Sequence, residues 1–204
     1  MTDITAEHLL SSYAAGKRYF GRANLSGIDL SGANLPGIDF DCSNLSGANL
    51  SGANLSEGKL EGSNLNKVNL ESANLSGADL SLVESHHANW RRVNLDGAVL
   101  RSAYLEYVDL EGATLRDTHL NYITFSDCNM RNINLERAIW DDTSTGGIWN
   151  VDLTGAIGFD PDDIAGENII LPDGEFLKDA WEFIKRSGKL YRSRRFDPPS
   201  DFSS

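Results

Sequence analysis

Long apolar runs are missing from this sequence: none approaches the roughly 20 residues that a membrane-crossing helix needs. The N-terminal stretch, with Asp3 and Glu7 and no basic-then-apolar order, does not read as a secretory signal either, so a cytoplasmic protein is expected. Cysteine is scarce. Cys42 and Cys128 are too few for a disulfide framework and fit a reducing compartment. Basic residues are in deficit, 18 against 30 acidic ones in 204 residues, for a formal charge of −12, which argues against general nucleic-acid binding. The deficit is uneven: residues 1–177 carry 11 basic and 26 acidic side chains, whereas 178–204 carry 7 and 4.

What the chain does have is a period. Every fifth residue from Phe20 to Trp140 gives 25 positions, of which 24 are Leu, Phe, Trp or Met and one is Ser85. Two residues before each stands a small or β-branched side chain, as in Ala23, Ile28, Ala33, Ile38 and Ser43, and between them a mostly polar residue, usually Asn or Asp. Five matches neither the 3.6-residue period of a helix nor the two-residue period of a simple strand. Within Ala48-Asn49-Leu50-Ser51-Gly52 the first three residues alternate in, out, in, as a short extended segment does, and Ser-Gly is turn chemistry. Corners that all bend the same way make the chain coil, and coils stack at about the 4.8 Å spacing of neighbouring strands. The glycines fall at turn positions of the frame, so they set backbone conformation and form no phosphate-binding loop.

The repeat A-(N/D)-L-x-x over residues 20–140 resembles that of the pentapeptide-repeat family. The lead-in LLSSYAAGKRYF is similar to that of cyanobacterial members. The resemblance implies an all-β solenoid, a right-handed quadrilateral β-helix with four units to a coil and about six coils, in which residues 20 apart stack vertically. Open hydrophobic ends of such a stack need covers. Thr5 can cap a helix to about Ala15, with Leu9, Leu10, Tyr13 and Ala14 on one face and Gly16 as its stop. The expected organisation is a capping helix in 1–18, a solenoid in 19–157 with a loop near 141–150, and a C-terminal part in 158–204. Val151-Asp152-Leu153 resumes the frame shifted by three residues, and a linker leads to a second helix at about 175–187, capped by Asp173, with Phe176, Leu177, Ala180, Trp181 and Ile184 on one face. That helix is expected as a second lid or as the contact of a homodimer or partner, and the basic tail after it as mobile.

No catalytic constellation emerges. Glu84-Ser85-His86-His87 invites a nucleophile or metal story, but in a 20-residue coil Ser85 lies in an inward column between Leu65 and Leu105, and His86 falls between Asn66 and Glu106 as a surface ion pair. No cofactor and no metal is implied. Cys42 and Cys128 are 86 residues apart, about four coils and nearly 20 Å, beyond disulfide reach. Asn34, Asn54, Asn74 and Asn94 are expected as a stacked ladder.

The outward positions carry more. Residues 20–79 hold only Arg22, Lys59 and Lys67 as bases, whereas 80–140 hold Arg91, Arg92, Arg101, Arg116, Arg131 and Arg137. The same threading clusters Leu82, Tyr104, Tyr107 and Tyr122 around one edge and its adjoining face, with Val99 further along the neighbouring face. Such a patch is either a binding surface, with Arg91, Arg92 and Arg101 beside it, or a seat for the C-terminal segment or a loop. Two functions that differ in kind follow: a non-enzymatic rigid scaffold for an unknown protein partner, with no membrane and no direct nucleic-acid contact; or, as some members of the family imply, an acidic mimic of duplex DNA bound to gyrase. Neutral Asn and Ser over much of the surface, and the later arginines, weigh against the mimic.

Overall fold

The computed structural model describes residues 4–140, 147–159 and 166–179. One unit shows why the chain coils. In Ala48-Asn49-Leu50 the two flanking side chains are buried and Asn49 lies half-buried between them. The Leu50 amide donates to the Asn69 carbonyl at 2.7 Å and the Asn49 amide to the Ile28 carbonyl at 2.8 Å, so this short segment bonds to the coils on both sides of it. At the corner, Asn49 Oδ1 accepts from the Ser51 amide (3.2 Å), and Gly52 sits at φ 65°, the left-handed region that glycine enters without Cβ strain. The Asn49 amide group still has a donor to spare, and gives it to Asp29 Oδ1 of the preceding coil at 3.2 Å. The Asn or Asp slot of the repeat therefore holds a turn and a coil-to-coil bond with one side chain.

Repetition of that unit gives four columns of parallel bridges at 20-residue spacing, running through Asp39–Lys59–Asp79, Asn44–Asn64–Glu84, Asn49–Asn69–Asn89 and Asn34–Asn54–Asn74. In the last column Asn54, Asn74 and Asn94 each donate to the asparagine 20 residues earlier at 2.8 to 3.2 Å, the ladder expected from the sequence. Leucines fill the interior, and Leu35, Leu55, Leu75, Leu95, Leu115 and Leu135 are all fully buried. On one side the bridges lengthen into three-residue strands: β1 (Glu84–His86), β2 (Tyr104–Glu106), β3 (Thr124–Ser126) and β4 (Gly147–Trp149), parallel and in register.

Part of the expected loop near 141–150 is therefore strand. Residues 141–146 lie outside the described residues, but Gly147–Trp149 returns to pair with β3, buried at Ile148. From there the spacing is 23 rather than 20, as Asn129 bridges Asp152 and Asn134 bridges Ile157, which confirms the shift of three.

The ends are covered differently. Helix α1 (Ala6–Ala14) starts at Thr5, whose hydroxyl accepts from the His8 amide at 3.2 Å, and stops before Gly16 at φ 96°. Only part of the expected apolar face is covered. Leu9 is fully buried and the Tyr13 hydroxyl donates to the Pro36 carbonyl (2.7 Å), whereas Leu10 and Ala14 face solvent. At the other end the helix expected at 175–187 does not begin: Phe176–Asp179 is strand β6, antiparallel to β5 (Gly166–Ile170), which pairs parallel with β4. The Leu171-Pro172-Asp173-Gly174 turn is the reason. Asp173 Oδ1 accepts from the Glu175 amide (3.0 Å) and Gly174 takes φ 89°, which reverses the chain onto the open edge of β5. Ile169 and Leu171 are buried in the core, so the stretch expected as linker is built into the sheet. The dimer contact assigned to that helix loses its first turn, and residues 180–187 lie outside the described residues, as does the tail. No helix among the described residues is long and apolar enough to cross a membrane.

Leu95→Asp sets a carboxylate into a fully buried leucine column, at a cost of several kcal/mol whether it ionises or takes up a proton. The expected outcome is loss of the cooperative melt and of the β circular dichroism signal. An unchanged melting curve would refute the column.

Candidate functional site

On the side that carries β1 to β4 the repeat's chemistry changes. Its Asn slot, filled by Asn24, Asn44 and Asn64 in the early coils, is filled by Glu84, Tyr104 and Thr124 in the later ones. Glu84 and Tyr104 are exposed and neither makes the turn bond that asparagine makes there. The flanking corners change too. At the second turn position, where Gly27, Gly47 and Gly62 take positive φ, stand Leu82 (φ 59°), Tyr107 (φ 53°) and Tyr122 (φ 59°). A side chain in that region costs about 1 kcal/mol against glycine, and these gain little burial in return. Their exposures are 54%, 49% and 38%, with Tyr104 at 39%.

These four residues form one surface. Leu82 and Tyr122 share a corner column with Ser102 between them; Tyr104 stands beside them in β2, and Tyr107 on the next corner. Two histidines complete it. The His87 ring stacks on Tyr107, centroids 4.8 Å apart and planes within 6°, and the His86 ring lies 5.4 Å from Tyr104. His86 Nδ1 meets Glu106 Oε2 at 2.7 Å, and the His86 amide donates to Asn66 Oδ1, the placement its register foretold. Burial first, then the carboxylates of Glu106 and Asp127, push the Tyr104 hydroxyl above its ordinary value, so the local potential is negative. Ser85 is wholly buried and donates to the Leu65 carbonyl (3.2 Å), away from any substrate. Cys128 is buried as well, and burial raises its thiol to about 12, which keeps it protonated and inert.

The other expected members part company with this surface. Val99 is half-buried in the column of Asp79 and His119. Arg91 and Arg92 lie two corners on from Leu82 and are bound to carboxylates: Arg91 to Asp109 (3.0 Å) and Glu111 (2.6 Å), Arg92 to Glu71. Arg116, Arg131 and Arg137 are held in the same way by Asp96, Asp152 and Asp117. Arg101 is the exception among the arginines of these later coils: it is exposed, makes no ion pair among the described residues, and stands on the corner of Leu82, whose amide donates to its carbonyl (2.9 Å). Sequence reasoning grouped the three arginines by abundance; the register of 20 separates them. It also passed over the two histidine rings, whose offsets of 18 and 20 from Tyr104 and Tyr107 were the available signal. Among the described residues no three of His, Cys, Asp and Glu converge as metal ligands.

The family model for pentapeptide repeats matches residues 19–57, 48–83 and 86–117, with eight copies of the repeat model. The chain belongs to the pentapeptide-repeat family. Solved pentapeptide-repeat structures resemble it. A trypsin-treated form of QnrB1, a plasmid-mediated fluoroquinolone resistance protein, is 19% identical, covers 83% of this chain and 87% of its own, and superposes with a TM-score of 0.62, a likeness of fold alone. HetL, a pentapeptide repeat protein involved in heterocyst differentiation regulation from the cyanobacterium Nostoc, is 23% identical over 84% of this chain and 99% of its own, with a TM-score of 0.32. Another Nostoc pentapeptide repeat protein is 37% identical over 52% of this chain and 84% of its own, with a TM-score of 0.28. No curated protein matches this pentapeptide-repeat chain by sequence.

Two expectations test the site's physics. Leu82→Gly and Tyr122→Gly relieve a left-handed side chain, which offsets glycine's entropy, so each is expected to melt within about 3 °C of wild type; a fall of about 10 °C would show that these side chains hold the fold. For Asp96, partial burial raises the carboxyl, but the Arg116 guanidinium (2.9 Å) and amide outweigh it and hold it below its usual 3.8. The native state thus binds this proton less readily than the unfolded chain, and the stabilisation present at neutral pH is lost as pH falls through that depressed value. Asp96→Asn is expected to flatten the acid limb of melting temperature against pH.

Proposed function

We propose that the chain is a non-enzymatic, rigid scaffold for protein–protein interaction. In this reading it is a right-handed, four-sided solenoid of about six coils, and the face of β1 to β4 with its corners is where a partner binds. One observation carries it: on the β1 to β4 side and its corners, the turn-forming asparagine slot and the glycine slot are given up to four large, solvent-exposed side chains that cluster together, Tyr104, Leu82, Tyr107 and Tyr122. Departures from a local rule with no compensating burial mark function rather than stability. Aromatic side chains of that size are also the usual anchors of interfaces.

The acidic balance of residues 1–177 leaves gyrase mimicry as the competing reading, which the fold likeness to QnrB1 makes worth testing. Against it, the arginines of the later coils already neutralise Glu71, Asp96, Asp109, Glu111, Asp117 and Asp152. A continuous line of free negative charge, such as the phosphates of a duplex present, is thereby interrupted.

Affinity capture from a bacterial lysate decides between them, with wild type beside a folded Tyr104→Ser/Tyr107→Ser/Tyr122→Ser variant. The expected result is a protein retained by wild type and lost by the variant. Gyrase subunits held equally by both, with inhibition of supercoiling, would replace the scaffold by the mimic.

A further inference from the structure

The aromatic face has a chemistry more specific than its exposure. Its uncompensated groups are acidic: among the described residues the Glu84 carboxylate makes no ion pair or hydrogen bond, Glu106, next to Tyr107, faces a histidine, and Asp127, one coil on from Tyr107, is bonded to Ser126 and Asn150. Arg101 stands nearby as a base with no ion pair among the described residues. An occupant of this face therefore carries several bases, apolar or aromatic groups among them, and at least one carboxylate for Arg101.

The chain contains such a segment. Residues 185–195 hold six bases, Lys185, Arg186, Lys189, Arg192, Arg194 and Arg195, and no carboxylate; Leu190, Tyr191 and Phe196 lie within or beside that run, and Asp197 follows. Its anchor point is suitable as well. The described chain ends at Asp179 in β6, which belongs to the same sheet as the face, in the order β1-β2-β3-β4-β5-β6. Four strand steps of about 4.8 Å separate β6 from β2, roughly 19 Å. The intervening residues 180–189 span up to about 33 Å when extended, so the basic run reaches the tyrosines. Between the two, a groove lined by Asp127, Asn150, Asn168, the exposed Phe176 and the paired Arg131 and Asp152 leads toward β6, with Asp127 as its carboxylate outside an ion pair among the described residues.

We infer that residues 185–197 of this chain dock on its own aromatic face, with the basic run against Glu84, Glu106 and Asp127 and Asp197 against Arg101. The inference rests on the reading of that face as a binding surface and adds its resident occupant. Docking in cis makes the tail a competitor that a partner must displace, and an intramolecular segment does so at high effective concentration without high intrinsic affinity. The contact is largely electrostatic, so it weakens as salt rises.

Trypsin reads this directly in the full-length chain, because the tail offers six cleavage sites. Cleavage at Arg192, Arg194 and Arg195 is followed by mass spectrometry at low salt, normalised to a free synthetic peptide of residues 185–204 in the same tube. With the tail docked about nine-tenths of the time, wild type is cut roughly tenfold more slowly than the free peptide. That protection is expected to be lost in Tyr104→Ser/Tyr107→Ser/Tyr122→Ser and in Glu84→Lys. The second reverses one exposed, unpaired charge and so keeps the fold, with circular dichroism as the check. Equal rates for wild type, both variants and the peptide overturn the inference, as does protection that persists in the variants or that grows with protein concentration, the mark of a second copy. A partner captured by a chain whose tail is unprotected leaves the scaffold standing and removes the tail. Protection that vanishes in the variants, with no partner captured, does the reverse.

Discussion

The solenoid answers to one constraint: each short segment must find its hydrogen-bond partners on the coils directly before and after it, 20 residues away through most of the stack and 23 across the frame shift after Trp140. Three extended residues cannot make a stable strand alone, and their amides and carbonyls have no partners within the unit. Stacking satisfies them all, so the interior has to keep a constant cross-section from coil to coil. Leucine at most inward positions achieves that, and Trp90, Phe40 and Phe125 are fully buried in the same interior, with Phe40 against Phe20 and Phe125 against Trp140.

The same constraint explains how little freedom the outside has. Where asparagine stands before the leucine, as Asn49 does, it bonds forward to the corner and sideways to the preceding coil, and where glycine stands at the second corner position it supplies positive φ without strain. The asparagine slot is half-buried and the corner slot exposed, so both can be spent on something else, the corner at a local cost of about 1 kcal/mol. Most later substitutions at corners keep a structural use: Arg116 and Arg137 reach the carboxylates of the preceding coil and replace one coil-to-coil bond by another. Leu82, Tyr104, Tyr107 and Tyr122 have no such bond to offer. What they share is a single side of the rod and an acidic surrounding, and the densest run of bases in the sequence, residues 185–195, follows β6.

The covers of the two ends show how context overrides local preference. α1 formed where its cap and stop residues placed it, because nothing else competes for residues 6–14. Phe176–Asp179 carries apolar spacing that suits a helix equally well, but the chain arrives there beside an unpaired strand edge, through a proline-glycine turn that reverses it, and unsatisfied backbone groups on β5 outweigh the weak propensity of a short helix. Helical spacing is visible in a sequence; an open edge a few ångström away is not.

The sequence by itself determined the repeat, the inward leucines, the ladder of asparagines, the frame shift after Trp140 and the partners of His86. All of these follow from periods of 5 and 20, and a period is a local property that survives without coordinates. Tertiary structure decided which outward residues meet. Arg91, Arg92 and Arg101 are near neighbours in sequence, yet the first two are spent in ion pairs two corners away from Leu82 while Arg101, beside it, has no ion pair among the described residues. It also decided that the stretch before residue 179 closes the solenoid as a hairpin. The reason is the same in both cases: corner positions and sheet edges acquire their neighbours only when successive coils lie one above another, and no pattern along the chain encodes which groups are left without a partner there.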